Sequence, residues 1–304
     1  MKLIALGDNC IDLYRNTGEA FPGGNALNAA VCAARLGVSA EYLGALGTDI
    51  MAQLICRTLD DRGVCRSGCP VIPGGTTKAC CYRVENGERT YLGVLTGPRW
   101  TGPLAWTPDC QTRLGGADVV ISSCNAKMPE HMAAVAALPP LFAFDFGEKE
   151  KYRTAEYFDQ VCASGLDLCM FSCAPMSEAA FSAFCTPLHR RRVCHVLTTM
   201  GAAGAMISNG GQIVRSCSTL LVPQDTMGAG DAFLVGMVIA MQKAGWRKGC
   251  PLPADALLSA LQYAAEVAAQ QCMLPGGAGV RVTLAQEEIE AWEAQLNGLE
   301  AAAH

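Results

Sequence analysis

The segment Asp225-Thr226-Met227-Gly228-Ala229-Gly230-Asp231 concentrates residue types that can do chemistry. Two acids bracket a Gly-Ala-Gly turn, and the apolar run from Ala232 to Met241 follows at once, which reads as a buried helix starting at the turn. A helix N-terminus offers unpaired backbone N–H groups and a partial positive charge, both suited to an anion such as phosphate. The glycines let the backbone approach that anion without a Cβ in the way. Asp231 would stand in the first helical turn, where a carboxylate is useful if it takes the proton of a hydroxyl that attacks the phosphate. The plainer reading of an acid at a helix start is a cap or a dipole partner. Two other phosphate motifs do not fit. A dinucleotide fingerprint needs glycine or alanine where Phe233 stands, and a Walker A loop needs a Gly-Lys pair, which the chain lacks.

A second group of candidates lies near the N-terminus. Gly7-Asp8-Asn9-Cys10-Ile11-Asp12 closes the first strand, and ligands in open α/β sheets bind beyond the carboxyl ends of strands. Carboxylates there can accept hydrogen bonds from two hydroxyls at once, although Asp8 is equally readable as a turn or cap residue. Phe21-Pro22-Gly23-Gly24-Asn25-Ala26-Leu27-Asn28 precedes an Ala-rich helix that runs to Leu36 and stops at Gly37. Asn25 could be only its N-cap.

These elements need a frame. Leu3–Leu6, Glu41–Leu46, Val119–Ser122, Leu141–Phe146, Leu168–Ser172 and Val193–Thr198 read as buried strands. Helical patterns alternate with them over Ala26–Leu36, Ile50–Arg62, Pro129–Leu138, Tyr152–Ser164 and Ser177–Phe184. Three late helices are expected over Asp231–Ala244, Ala254–Cys272 and Leu284–Leu299. Alternation with near-continuous apolar strands predicts a parallel sheet covered on both faces. Thr76–Val84 and Glu88–Gly93 flank Asn86-Gly87, a hairpin signal that departs from the parallel pattern.

Composition bounds the class. The chain has 304 residues, 51% of them apolar, enough for one large α/β domain with a generous core or for two small ones. A net charge of −5 implies no nucleic-acid face, and His189-Arg190-Arg191-Arg192 reads as a solvated helix end. The N-terminus begins in a strand with no leader pattern, and the longest apolar stretch is broken by Asp231, so a cytoplasmic protein without membrane contact is expected. The 17 cysteines are odd in number and include no Cys-x-x-Cys pair, and with four histidines no zinc spacing emerges. Most, such as Cys32, Cys124, Cys162 and Cys194, lie in apolar runs and read as small core hydrophobes in a reducing compartment. The closing Ala301-Ala302-Ala303-His304 is left out of the fold reading.

The Gly23-Gly24-Asn25 motif and the heptad ending at Asp231, in this order along the chain, resemble the two signatures of the PfkB/ribokinase family of carbohydrate kinases. The resemblance runs from Gly7 to about Gly279. It implies a ribokinase-like three-layer α/β/α fold over 1–304 as a single domain, with a mostly parallel central sheet. It also implies a small β lid from segments at about 10–20 and 76–97, which excludes water as a competing acceptor; a surface hairpin without a role is the alternative. It implies ATP and Mg²⁺ as cofactors, a small sugar as partner, and a homodimer through the lid. By resemblance Asp231 is the base, and Gly228, Ala229 and Gly230 bind the moving phosphoryl. Asp12 and Asn28 bind sugar hydroxyls, with Asp8, Gly24 and Asn25 beside them, and Thr199, Gly201 and Gly204 contact ATP phosphates. For Gly204 a tight turn is the simpler reading. The segment 264–279 would line the adenine side. Asp225 matches an acid near a monovalent cation such as K⁺, or simply orients the turn. Glu178 matches a residue that organises Mg²⁺ through water, but the family's accompanying Asn is Pro175 here.

Three further segments resemble fructosamine-phosphorylating members of the family: Gly7 to Tyr14, Ala143-Phe144-Asp145-Phe146, and Ser172-Cys173-Ala174-Pro175. They imply transfer to the 6-hydroxyl of a fructosamine such as fructoselysine, with Asp145 facing the acceptor's amine or capping a turn. Fructokinase, ribokinase and nucleoside kinase activities remain open alternatives, as does a catalytically silent sugar sensor.

Overall fold

The computed structural model describes residues 1–85, 88–97, 99–218 and 222–301. The Asn86-Gly87 turn and residues 302–304 lie outside them. Strands β1 (Lys2–Leu6), β4 (Ser39–Leu43), β7 (Val119–Ser123), β8 (Leu141–Asp145), β9 (Leu166–Ser172), β10 (Val193–Thr199), β11 (Ala205–Ser208) and β12 (Ile213–Ser216) form the main sheet. Its order is β12-β11-β10-β9-β8-β7-β1-β4. From β4 to β10 the pairing is parallel. β11 and β12 add an antiparallel edge that the alternation of strands and helices did not announce.

Alternation along the central strands supplies both layers of the core. Leu3, Ala5, Val119 and Ile121 face one side, packed with α1 (Asn25–Arg35), α2 (Ile50–Asp61), α7 (Ala229–Lys243), α8 (Ala254–Gln271) and α9 (Gln286–Ala301). Ile4, Leu6, Val120 and Phe142 face the other, against α3 (Pro108–Gly115), α4 (Pro129–Ala137), α5 (Ala155–Val161) and α6 (Glu178–His189). Strands buried on both faces require apolar residues at consecutive positions, which is why they read as continuous runs.

Some boundaries differ from those expected. The strand expected over Glu41–Leu46 ends at Leu43. The helix expected over Tyr152–Ser164 starts at Ala155, where Thr154 caps it by accepting from Tyr157 N–H at 3.3 Å. α6 runs past the expected end at Phe184, through Pro187 to His189.

A second sheet, ordered β13-β3-β2-β5-β6, is built from β2 (Cys10–Tyr14), β3 (Glu19–Gly23), β5 (Ala79–Glu85), β6 (Glu88–Leu95) and β13 (Val282–Thr283). One of its faces joins the core through Ile11, Leu13, Ala20, Ala79 and Cys81. With a period of two, Cys10, Asp12, Tyr14, Cys80 and Tyr82 lie on the opposite face. Asp49 anchors the base of this sheet. It caps α2 by accepting from Ala52 N–H at 2.8 Å. It also accepts from Thr77 N–H (2.8 Å), Thr77 Oγ1 (2.9 Å) and Trp292 Nε1 on α9 (2.9 Å). Among the described residues no helix is long and apolar enough to cross a membrane.

Candidate active site

Parallel pairing brings the carboxyl ends of β1, β7, β8 and β10 to one edge, and the chemistry-bearing residues follow those ends. Asp8 follows β1, Asn125 follows β7, Asp145 ends β8 and Thr199 ends β10. Helix α1 starts at the same edge because Gly24 turns the chain from β3 into it at φ 108°. A Cβ on Gly24 would stand 2.8 Å from Asn9 Cα and 2.9 Å from the Asp8 carbonyl oxygen, so the two loops can touch only through a glycine.

Helix α7 begins in the same way. Gly228 is left-handed at φ 73°, and a Cβ there would lie 2.7 Å from the Gly277 carbonyl oxygen. Both Asp225 carboxylate oxygens accept backbone hydrogen bonds at 3.0 Å, one from Met227 and one from Gly276. Asp225 thus ties the turn to the loop after α8, one of the two roles its sequence context left open.

Asp231, in the first turn of α7, is held by the two asparagines of the N-terminal motif. Asn25 Nδ2 donates to one carboxylate oxygen at 2.7 Å and Asn28 Nδ2 to the other at 2.8 Å. Asn25 is itself oriented by Asn125, whose Nδ2 donates to Asn25 Oδ1 at 2.6 Å. The Asn25 backbone N–H donates to Asp8 at 3.3 Å. The two signature motifs, far apart in sequence, therefore meet side chain to side chain.

The electrostatics follow from packing acids together. Burial pushes the Asp231 carboxyl up to about 8; Asn28 and Asn25 pull it down, while Asp145 and Asp8 add to the rise. Burial pushes Asp145 up to about 6, against a hydrogen bond from Gly147 N–H and with a further push from Asp8. Asp8 is raised by burial too, opposed by Lys78 and by backbone N–H groups. Burial alone would lower the Lys78 ammonium, but Cys10, Asp8, Cys80 and Asp12 more than offset this and raise it.

Two buried acceptor atoms here have no hydrogen-bond partner among the described residues, Asp8 Oδ1 and Asn28 Oδ1. A Cβ built on Gly23 would lie 3.5 Å from Asp12 Oδ2 and 3.7 Å from Asn28 Oδ1. Asp12 and Asn28 thus face one small space over a glycine, and that space suits a ligand rich in hydroxyl donors.

On the other side of the α7 tip lies a cavity of about 520 Å³. Thr199, Gly201, Gly204, Ser216, Thr226, Ala229 and Gly230 line it toward the helix tip. Phe233, Ala265, Ala268, Ala269 and Cys272 line it toward α8, leaving small apolar walls. Glu178 is exposed in the first turn of α6 and is not among the lining residues. The first turn of α7 is the partition: Ala229 and Gly230 face the cavity, and Asp231 faces the asparagines and acids.

Comparison with known proteins places this arrangement. Residues 2–106 match the model of the pfkB family carbohydrate kinases. The chain is 29% identical over 284 residues to a fructosamine kinase of Bacillus subtilis (strain 168), covering 92% of this chain and 93% of that protein. The family's match covers the N-terminal third of the chain, and the similarity to a kinase of a sugar derivative runs over nearly its full length. The chain is also 28% identical over 254 residues to a fructoselysine 6-kinase of Shigella flexneri, covering 83% of this chain and 92% of that one. In fold, the kinase superposes on a fructokinase with bound ATP from Xylella fastidiosa with a TM-score of 0.76, at 18% identity, over 97% of this chain and 99% of that one.

Several residues near the kinase's site were missed in the sequence. Asn125 carries no local signal beyond following a strand. Lys78 and Cys80 were legible as one-face partners of Cys10 and Asp12 only once the pairing of β2 with β5 was known.

Proposed function

We propose that the kinase transfers the γ-phosphoryl of ATP to the primary hydroxyl of a sugar derivative, most specifically the 6-hydroxyl of a fructosamine such as fructoselysine. The observation that carries this reading is the Asp231 carboxylate, fixed by Asn25 and Asn28 at the head of a helix whose first turn opens on a nucleotide-sized cavity.

In this reading the triphosphate lies along Thr199, Gly201 and Gly204 with its terminal group at the first turn of α7. Backbone N–H groups from Gly228 to Asp231 stabilise the charge on the moving phosphoryl. Asp12 and Asn28 accept from sugar hydroxyls and hold the primary hydroxyl in line. Asp231 takes that hydroxyl's proton as its oxygen bonds to phosphorus and the bond to the ADP oxygen breaks. A carboxyl near 8 suits a base working around neutral pH, where ionised fraction and proton affinity are both useful. Mg²⁺ neutralises phosphate charge when bound. Glu178, exposed and outside the cavity lining, is the residue that could hold such an ion through water. A K⁺ ion beside Asp225 would add to a loop already tied by that residue's backbone contacts.

The fructosamine assignment is supported by the two relatives and by a basic rim. Burial lowers the Lys127 ammonium, and the charges of Lys78, Lys151 and Lys149 lower it further. This group of four lysines, of which Lys78 and Lys127 feel the charge of Asp8, suits an acceptor that carries a carboxylate on its amino-acid arm. Exposed Tyr91, Leu92 and Val94 on the edge strand β6 support a homodimer through the second sheet.

Turnover of fructoselysine, fructose, ribose and adenosine, compared at equal ATP, tests the assignment. Preference for fructoselysine is expected. Preference for adenosine would reject the fructosamine and leave the fold intact, and no ATP consumption with any of the four acceptors would favour the sensor.

A further inference from the structure

Two side chains that phosphoryl transfer does not use lie beside Asp12 on the inner face of the second sheet. Cys10 and Asp12 stand two apart on β2 and so share a face, and Cys80 on β5 pairs directly opposite Asp12. The two sulfurs and an Asp12 oxygen all lie within 4.8 Å of one another. Among the described residues this is the one group of three Cys, His, Asp or Glu side chains gathered so closely. We propose that Cys10, Cys80 and Asp12 form a binding site for a thiophilic divalent cation, zinc foremost, and that the bound ion competes with the acceptor sugar.

The donor set selects the ion. Two sulfurs and one carboxylate oxygen match zinc, which takes tetrahedral S, N and O ligands and leaves a fourth position for water when the protein supplies three. At a Zn–S distance of about 2.3 Å, tetrahedral ligands stand roughly 3.8 Å apart, so small side-chain rotations close the cluster. Mg²⁺ is hard, wants about six oxygens and dehydrates reluctantly, so the Mg²⁺ that accompanies ATP leaves the thiols alone. Charge also balances. Two thiolates and a carboxylate carry three negative charges; a divalent ion leaves one, and the Lys78 ammonium stands close enough to offset it. Asp8 lies on the acidic side of the same group and Lys149 on the basic side. The second half of the proposal rests on the acceptor reading given above: an ion here takes the Asp12 oxygen and the space over Gly23 that the sugar would need.

The test uses the full-length, reduced protein titrated with Co²⁺, read as thiolate-to-cobalt charge-transfer absorption in the near ultraviolet. Zn²⁺ is then added against a chromophoric chelator. Wild type and Cys250→Ser, which alters an exposed cysteine elsewhere, are expected to bind one equivalent with the thiolate band. Cys10→Ser and Cys80→Ser each keep one thiolate, so each is expected to show roughly half the band and to bind at least about tenfold more weakly, and the double variant to lose the band. Asp12→Asn should keep the band but also weaken binding, which separates lost ligation from lost folding. No thiolate band, or a band unchanged in both serine variants, overturns the metal site whatever sugar the enzyme phosphorylates. A band that weakens in both serine variants while cobalt binding ignores added acceptor supports the metal site and overturns its competition with the sugar. In turnover assays the expected pattern is a Zn²⁺-dependent rise in the acceptor KM with kcat unchanged, reversed by chelator.

Discussion

Asp231 is a costly residue to bury. Its carboxyl sits at about 8 in the folded protein against an ordinary 3.8, because burial and the charges of Asp145 and Asp8 outweigh two amide donors. Asp231→Asn keeps the shape and removes the proposed base. The expected result is a kcat lower by about 10²–10⁴ with the sugar KM little changed, and near-normal turnover would remove Asp231 from the chemistry. The wild-type kcat/KM should rise with pH and level off above about 8, because only the ionised form accepts the proton. The same shift acts on stability in the opposite sense. The native state holds this proton more tightly than the unfolded chain, so the group's contribution is fully present below about 4 and is lost as pH rises through about 8. Asp231→Asn should therefore melt higher than wild type, with a gap that widens from pH 5 to pH 9; a gap that narrows would contradict the buried-acid account.

At the scale of elements, two junctions position the site. The first is the β3–α1 corner, where Gly23 faces Asp12 and Asn28. A methyl there meets both acceptor atoms at ordinary contact distances, so Gly23→Ala should fold normally while filling the space between them. Loss of a hydrogen bond to a charged group costs about 1.5–3 kcal/mol, so the acceptor KM should rise by roughly 10- to 100-fold with the ATP KM unaffected. An unchanged acceptor KM would move the sugar elsewhere. The second junction is Asp49, which gathers α2, the entry to β5 and α9 through four hydrogen bonds. Asp49→Ala leaves buried donors without an acceptor and should cost about 2–4 kcal/mol in denaturant unfolding. It should also loosen β5, which carries Cys80, and Lys78 just before it. A loss below about 0.5 kcal/mol would show that the four bonds do not act together.

The whole molecule divides the labour between two sheets. The parallel strands of the main sheet place Asp8, Asn125, Asp145 and Thr199 at one edge, and the second sheet presents a polar inner face to that edge. β6 ends the second sheet as an edge strand, with Tyr91 58% exposed and Leu92 and Val94 each 46% exposed. Apolar edges of this kind are covered in stable proteins. Light scattering should give a dimer, and Leu92→Lys should shift it to monomer; a wild-type monomer at high concentration would end the dimer proposal.

Local chemistry made much of this legible before any coordinates. Continuous apolar strands require a sheet buried on both faces, and a Gly-Ala-Gly turn ahead of a long apolar helix requires an open N-terminus with an acid in its first turn. Neither inference needs to know what lies across the molecule. The partners of that acid do. Asn25, Asn28, Asn125 and Asp145 reach Asp231 or its asparagines only because parallel strands align their carboxyl ends, and no spacing along the chain encodes that meeting. The cysteines make the same point more sharply. Judged by spacing, no zinc site emerged, and the thiols read as small hydrophobes, which holds for Cys32, Cys124 and Cys162. Cys10 and Cys80 became a pair when β2 and β5 paired in register, because inter-strand hydrogen bonding sets side-chain neighbours that sequence separation conceals.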